Sequence, residues 1–329
     1  MTRKLPHLNA LKPYQSTLPF KNGHFDTIIP ALFRKNHHVK YERFRIITRD
    51  DDFLDLDFSV NKNKKNSKLI ILSHGLESSS DANYIKGMIK LFEKDDFDAL
   101  AWNCRGCSGE ANLKEFYYHS GFTQDLDEVI NYALNVDQYL EIYLIGFSMG
   151  GNLTLKYLGE KSKHISSKIK RACVFSTPCD LASASHELKK GASKIYTLNF
   201  LITLKRKIKS KQELYKKMNF KTDKILQAKT LPEFDEHFTA KINGFKDAND
   251  YYQKSSSLQF FKDITIPTLI VNAKNDPFLG EDCYPHKEVE KNKFITLETP
   301  DSGGHCGFYT NSKDNTYWSE LRALHFFNS

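Results

Sequence analysis

Six short apolar runs recur from residue 68 onward, and longer stretches, several with helical spacing, separate them. They lie at residues 68–72, 99–103, 142–146, 172–176, 268–272 and 294–298. Runs of this length without polar alternation suit strands covered on both faces, as in parallel sheets. Residues 83–93 and 123–134 carry amphipathic helical spacing, and residues 152–159 and 318–327 also read as helices. Thr123, followed by Asp125 and Asp127, is placed as an N-cap with acids in the first turn. Strand and helix in this order predict an α/β fold with a mostly parallel, doubly wound sheet.

Two regions break the rhythm. Residues 39–48 and 53–60 read as strands joined by a turn at 49–52, giving the sheet an antiparallel N-terminal hairpin. Residues 61–67 (NKNKKNS) read as a solvated turn. Between Cys179 and Ile266 the chain has helical propensity and no strong strand, an excursion of the length expected for a lid. Sheet segments flank it on both sides. The expected organisation is one domain over residues 1–329 with a helical cap insertion at 180–265.

The pentapeptide Gly146-Phe147-Ser148-Met149-Gly150 follows the third apolar run directly and opens a helix near Met149. G-x-S-x-G in that context is a strand–turn–helix elbow that lifts a serine hydroxyl clear of the sheet. The helix N-terminus behind it favours developing negative charge. A serine hydroxyl attacks only when a base takes its proton and an acid holds that base in one tautomer. His305, within Ser302-Gly303-Gly304-His305-Cys306-Gly307, sits after the last strand in a loop that glycines allow to bend back. His24, His37, His38 and His164 read as surface or local-packing residues. Asp276 follows the strand at 268–272 and precedes His305 by one helix and one strand. Asp301 is too near His305 in sequence, and Asp282 falls inside the next segment. Catalytic Ser148, Asp276 and His305 are therefore expected to converge. Two backbone N–H groups must face the developing oxyanion, from Met149 and from Leu76 in His74-Gly75-Leu76-Glu77, with Gly75 as the alternative. His74 is expected to brace that loop.

Motifs along nearly the whole chain make it resemble the YheT-like branch of the α/β-hydrolases, relatives of the ABHD lipid hydrolases. They include residues 23–31 (GHFDTIIPA), 52–57 (DFLDLD), 103–109 (NCRGCSG), 231–235 (LPEFD) and 244–248 (GFKDA), with Tyr251-Tyr252, Asn275-Asp276-Pro277-Phe278 and Gly303-Gly304-His305. The resemblance implies a serine nucleophile with Asp and His partners, falling on Ser148, Asp276 and His305, and ester or lipid substrates. Two positions depart from the pattern. Asp26 stands where Gln is usual, and Asp51 where Gly is usual before the hairpin motif.

Composition limits the alternatives. Apolar content of 40% and charged content of 27% are ordinary for a globular chain. No strictly apolar run exceeds four residues, against roughly 20 for a membrane span. The start, MTRKLPHLNALKPYQ, lacks the apolar core of a secretory signal, so a soluble cytoplasmic protein is expected. Six cysteines without a scaffold rhythm suit free thiols, and the single C-x-x-C at Cys104 and Cys107 has no partner pair for zinc. No cofactor or metal is expected.

The formal charge of +8 resides in one place. Residues 189–217 hold ten basic side chains and one acid, and the rest of the chain has 38 basic and 39 acidic residues. The patch lacks interleaved aromatics, so nucleic acid is not an expected partner, and no obligate protein partner is inferred. Residues 195–204 are mostly apolar and run into the cations of Lys205–Lys211. They read either as a packed cap helix with a solvated lysine face, or as an acyl-chain wall in weak peripheral contact with an anionic membrane. The expected function is hydrolysis of carboxylic esters through an acyl-enzyme. A phospholipase or monoacylglycerol lipase, an alcohol acyltransferase and a catalytically silent ligand-binding protein are the alternatives.

Overall fold

The computed structural model describes residues 11–17, 22–34, 38–60 and 65–329. The expectations for residues 1–10, 61–64 and His37 lie outside the described residues.

Eight strands form one sheet: β1 (Glu42–Ile47), β2 (Phe53–Ser59), β3 (Lys68–Ser73), β4 (Phe97–Asn103), β5 (Glu141–Phe147), β6 (Ile169–Phe175), β7 (Thr268–Val271) and β8 (Ile295–Glu298). Their order across the sheet is β1-β2-β4-β3-β5-β6-β7-β8. The first two pairings, β1 with β2 and β2 with β4, are antiparallel, and all later ones are parallel. The helices are α1 (Gly23–Phe33), α2 (Asn83–Phe92), α3 (Thr123–Leu134), α4 (Met149–Lys161), α5 (Leu181–Glu187), α6 (Lys194–Ser210), α7 (Ala248–Ser255) and α8 (Trp318–Phe327), with shorter turns between. The mostly parallel α/β sheet with an antiparallel start is thus as the sequence predicts.

Each unbroken apolar run feeds two cores, because successive side chains of a strand point to opposite faces. Leu69 and Ile71 join Leu126 and Ile130 of α3 and Leu153 of α4 on one face. Ile70 and Leu72 join Ile85, Met88 and Phe92 of α2 and Leu324 of α8 on the other. The edge strand β1 is largely exposed, and its arginines anchor it. Arg43 and Arg45 stand opposite Asp57 and Asp55 in register and grip them bidentately at 2.7–2.9 Å. That pairing accounts for Asp55 and Asp57, two of the three acids in residues 52–57.

The turn before β2 uses Asp51 at φ +57°, the left-handed conformation that glycine would take without strain. Thr123 does not cap α3. It is the first helical residue, Phe122 occupies the capping position, and the Thr123 hydroxyl bonds Glu160 at 2.5 Å. Asp125 does lie in the first turn, and its carboxylate binds the buried Arg105 guanidinium, which also binds Asp50 and Asp52. Asp127 pairs with Lys161. Tertiary partners outcompeted the local cap.

Between β6 and β7 the chain makes the helical excursion. It has its own core, in which Leu201, Ile208, Tyr215, Phe234 and Phe238 meet Phe278 from the loop after β7. The loops after β3, β5, β7 and β8 lie at the carboxyl end of the parallel strands, where open α/β sheets place their sites.

Candidate active site

Ser148 follows the last residue of β5 in a strained backbone conformation, φ +52° and ψ −122°. Its flanking glycines are sterically required. A Cβ on Gly146 would lie 2.6 Å from the Gly150 carbonyl oxygen, and one on Gly150 would lie 2.3 Å from that of Ser73. Strain of this kind persists only where the surroundings over-determine it. The first turn of α4 starts at Met149, whose N–H has no intrahelical acceptor.

His305 Nε2 lies 2.9 Å from Ser148 Oγ, and its Nδ1 lies 2.9 and 3.1 Å from the two Asp276 oxygens. With Nδ1–H donating to the carboxylate, Nε2 is left to accept from the serine hydroxyl. Asp276 is itself held by the N–H of Phe278 at 2.9 Å. The Phe278 ring lies nearly parallel to the imidazole, with centroids 3.8 Å apart, and fixes its plane. Burial by itself would lower the His305 pKa, but the Asp276 charge, followed by the Cys306 thiol, pushes it up to about 10. The structure thus brings Ser148, Asp276 and His305 together. Asp301 pairs instead with Lys274 at the surface.

The loop after β3 is braced from several sides. His74 Nδ1 donates to the Gly75 carbonyl at 2.7 Å and Nε2 accepts the Cys104 N–H at 3.1 Å, a neutral ring. Burial pushes its pKa down to about 4, in keeping with that role. The Gly75 N–H is taken by Tyr84 Oη at 3.1 Å and the Glu77 N–H by Tyr118 Oη at 2.8 Å. Of the two candidates for the one donor expected from this loop, Leu76 and Gly75, only Leu76 keeps its N–H without an acceptor among the described residues. Lys207 Nζ reaches from α6 to Glu77 at 2.7 Å.

This last contact corrects the expectation of a solvated lysine face. Lys205 donates to the Ala228 carbonyl, Lys207 pairs with Glu77, and Lys211 is buried against Asn112 at 2.6 Å. Only Arg206 and Lys209 of that run are exposed. Buried acceptors drew the other three inward, a choice that composition cannot encode.

A second group of residues was not assigned from sequence. The N–H of His305 donates to Thr27 Oγ1 at 2.8 Å, that of Gly304 to Asn275 Oδ1 at 3.0 Å, and Asn275 Nδ2 to Asp26 Oδ2 at 2.8 Å. Helix α1 therefore clips the loop carrying Asp276 to the loop carrying His305. The only signal was that residues 23–31 and Asn275 belong to the motifs of the resemblance. Asp26, in place of Gln, supplies a carboxylate acceptor for Asn275 and for Ser16 Oγ at 3.2 Å.

A cavity of about 1050 Å³, measured out to its mouth, lies over Ser148 and His305. Its wall is largely apolar and comes from the excursion, including Leu188, Phe200, Leu204, Phe234 and Phe238. Asp235 opens a π-helical turn in this wall, holds Tyr252 Oη and Thr239 Oγ1 at 2.7 Å each, and has its pKa pushed up by burial to about 6. Among the described residues no group of three or more His, Cys, Asp or Glu side chains gathers as metal ligands.

An elbow serine at the carboxyl edge of a mostly parallel sheet, facing a histidine–carboxylate pair, defines a class. The chain belongs to the α/β-hydrolase fold family, whose pattern matches residues 68–312. Within that family it belongs to the YheT-like branch: it is 31% identical to YheT of Escherichia coli over 293 residues, covering 88% of this chain and 85% of that one. It is also 29% identical to the human phospholipase ABHD3 (90% and 73% covered) and 28% identical to a monoacylglycerol lipase of Saccharomyces cerevisiae (80% and 60% covered). Among solved structures, the Pyrococcus furiosus esterase Pf2001 shares the fold at TM-score 0.59 and 18% identity, over 88% of this chain and 90% of that one. Est1E of Butyrivibrio proteoclasticus does so at TM-score 0.55 and 16% identity, covering 88% and 100%.

Proposed function

We propose that the chain is a serine hydrolase of carboxylic esters, with Ser148 as nucleophile, His305 as general base and Asp276 as its orienting acid. The observation that carries this reading is the unbroken line of contacts from Ser148 Oγ through the imidazole to Asp276, with both links at 2.9 Å. His305 Nε2 takes the hydroxyl proton as Ser148 Oγ bonds to the acyl carbon. The carbonyl electrons move to oxygen, which the N–H groups of Leu76 and Met149 receive. As the intermediate collapses, the ester C–O bond breaks and the departing alkoxide takes the proton from His305. Water then gives a proton to the same nitrogen as its oxygen bonds to the acyl carbon. Collapse of this second intermediate breaks the bond to Ser148 Oγ, returns the proton from His305 to that oxygen and releases the acid. Losing one oxyanion donor in such a site costs about 3–4 kcal/mol of barrier.

The apolar wall favours esters with a sizeable acyl chain, so lipid esters are the substrates within this reading. The phospholipase and monoacylglycerol lipase among the relatives are in keeping with that. A fluorophosphonate probe should label the wild type and fail to label Ser148→Ala. A p-nitrophenyl ester series should show turnover rising from short to medium or long acyl chains. An unlabelled wild type, inert across the series, would overturn the proposal.

A further inference from the structure

Helix α6 has two faces with opposite surroundings. Its inner side carries Phe200, Leu204 and Ile208 into the cavity wall. Its outer side presents Ile195, Leu198 and Ile202, which are 66%, 61% and 49% exposed. Their spacing of three and four residues puts them on a single stripe. The stripe runs on into exposed Arg206 and Lys209, and exposed Lys194 stands at its start. The helix contains no acidic residue. Burying isolated apolar side chains on one face while keeping cations at its ends is the pattern of a helix lying in a headgroup layer.

We propose that this outer face of α6 docks the protein on an anionic lipid surface, an inference that rests on the lipid-ester reading above. The charge pattern selects the occupant. A second copy of this chain, paired face to face, would set Lys194, Arg206 and Lys209 against their own equivalents. An anionic bilayer instead satisfies the cations and covers the aliphatic stripe together. The inward turn of Lys205, Lys207 and Lys211 shifts the contact from the run of lysines to the apolar stripe with a cation at either end. The docked helix also walls the cavity over Ser148, so an ester held in the bilayer lies one helix away from the nucleophile.

The test is co-sedimentation of the full chain with phosphatidylcholine vesicles, with and without phosphatidylglycerol. The wild type should partition onto the anionic vesicles, and salt should release it. Leu198→Gln/Ile202→Gln and, separately, Lys194→Gln/Lys209→Gln should each lower partitioning by about tenfold or more. Both variants should keep wild-type turnover of a soluble p-nitrophenyl ester and the wild-type thermal midpoint. Failure of the wild type to bind, or equal binding by the variants, would overturn docking. So would a concentration-dependent dimer that Leu198→Gln/Ile202→Gln abolishes, since that assigns the stripe to a second copy. Sedimentation needs no turnover, so lost binding with intact ester cleavage removes docking alone. Intact binding without cleavage removes the hydrolase reading alone.

Discussion

Thr27 Oγ1 accepts the backbone N–H of His305 at 2.8 Å while its own hydroxyl donates to the Gly23 carbonyl at 2.6 Å. A residue of the first helix thereby sets the height of the loop that carries the imidazole. Thr27→Val keeps the shape and removes the acceptor. It should cost about 1–3 kcal/mol of stability by leaving that N–H unpaired. Because Thr27 does not line the cavity, kcat should fall by up to roughly 100-fold with KM nearly unchanged. Steady-state kinetics on a p-nitrophenyl ester and thermal unfolding read the two effects separately.

The Asp276 charge raises His305, and the proposed mechanism needs the neutral ring, so activity should be lost as pH falls. The acid limb of kcat/KM should lie above pH 6.5, the unperturbed histidine value. Asp276→Asn leaves burial as the main influence on the ring and should move that limb below pH 6.5. It should also cut kcat by about 10⁴-fold through loss of the correct tautomer. The same linkage acts on stability with the opposite sign. A raised pKa means the charged pair stabilises the fold fully below about pH 6.5. That contribution fades as pH rises through about 10. Unfolding midpoints of wild type and Asp276→Asn should therefore converge at high pH.

Arg105 joins the β1–β2 turn to α3 through Asp50, Asp52 and Asp125 and is itself almost fully buried. Arg105→Met fills the volume but leaves the carboxylates without a cation. A loss of about 3–5 kcal/mol is expected from denaturant titration. Lowering the pH should recover part of it, since burial already pushes Asp125 up to about 6.

Asp51 sits at φ +57° on an exposed turn. Asp51→Gly should relieve that conformation and stabilise the protein by up to about 1 kcal/mol. Ester turnover should not change, and a lower thermal midpoint would contradict the account.

The six strands from β3 to β8 were legible because each contains a short apolar run, and Ser148, Asp276 and His305 because each follows such a run at a turn. Their approach in space follows from sheet order. Contacts made by side chains across the fold were not legible. Thr27 meets His305 across 278 positions and Lys207 meets Glu77 across 130. No local pattern distinguishes a lysine that will find a buried carboxylate from one left in water. Thr123 shows the same limit, for its sequence suits a cap and its neighbours decided otherwise.

His24 stacks on Tyr196, Tyr196 packs on Phe278, and Phe278 lies flat against His305. Four rings from four separated stretches of chain thus form one column running from α1 through α6 to the His305 imidazole. A tilt of α6 would pass through these ring contacts to the imidazole, which ties the outer helix to the Ser148–His305 pair.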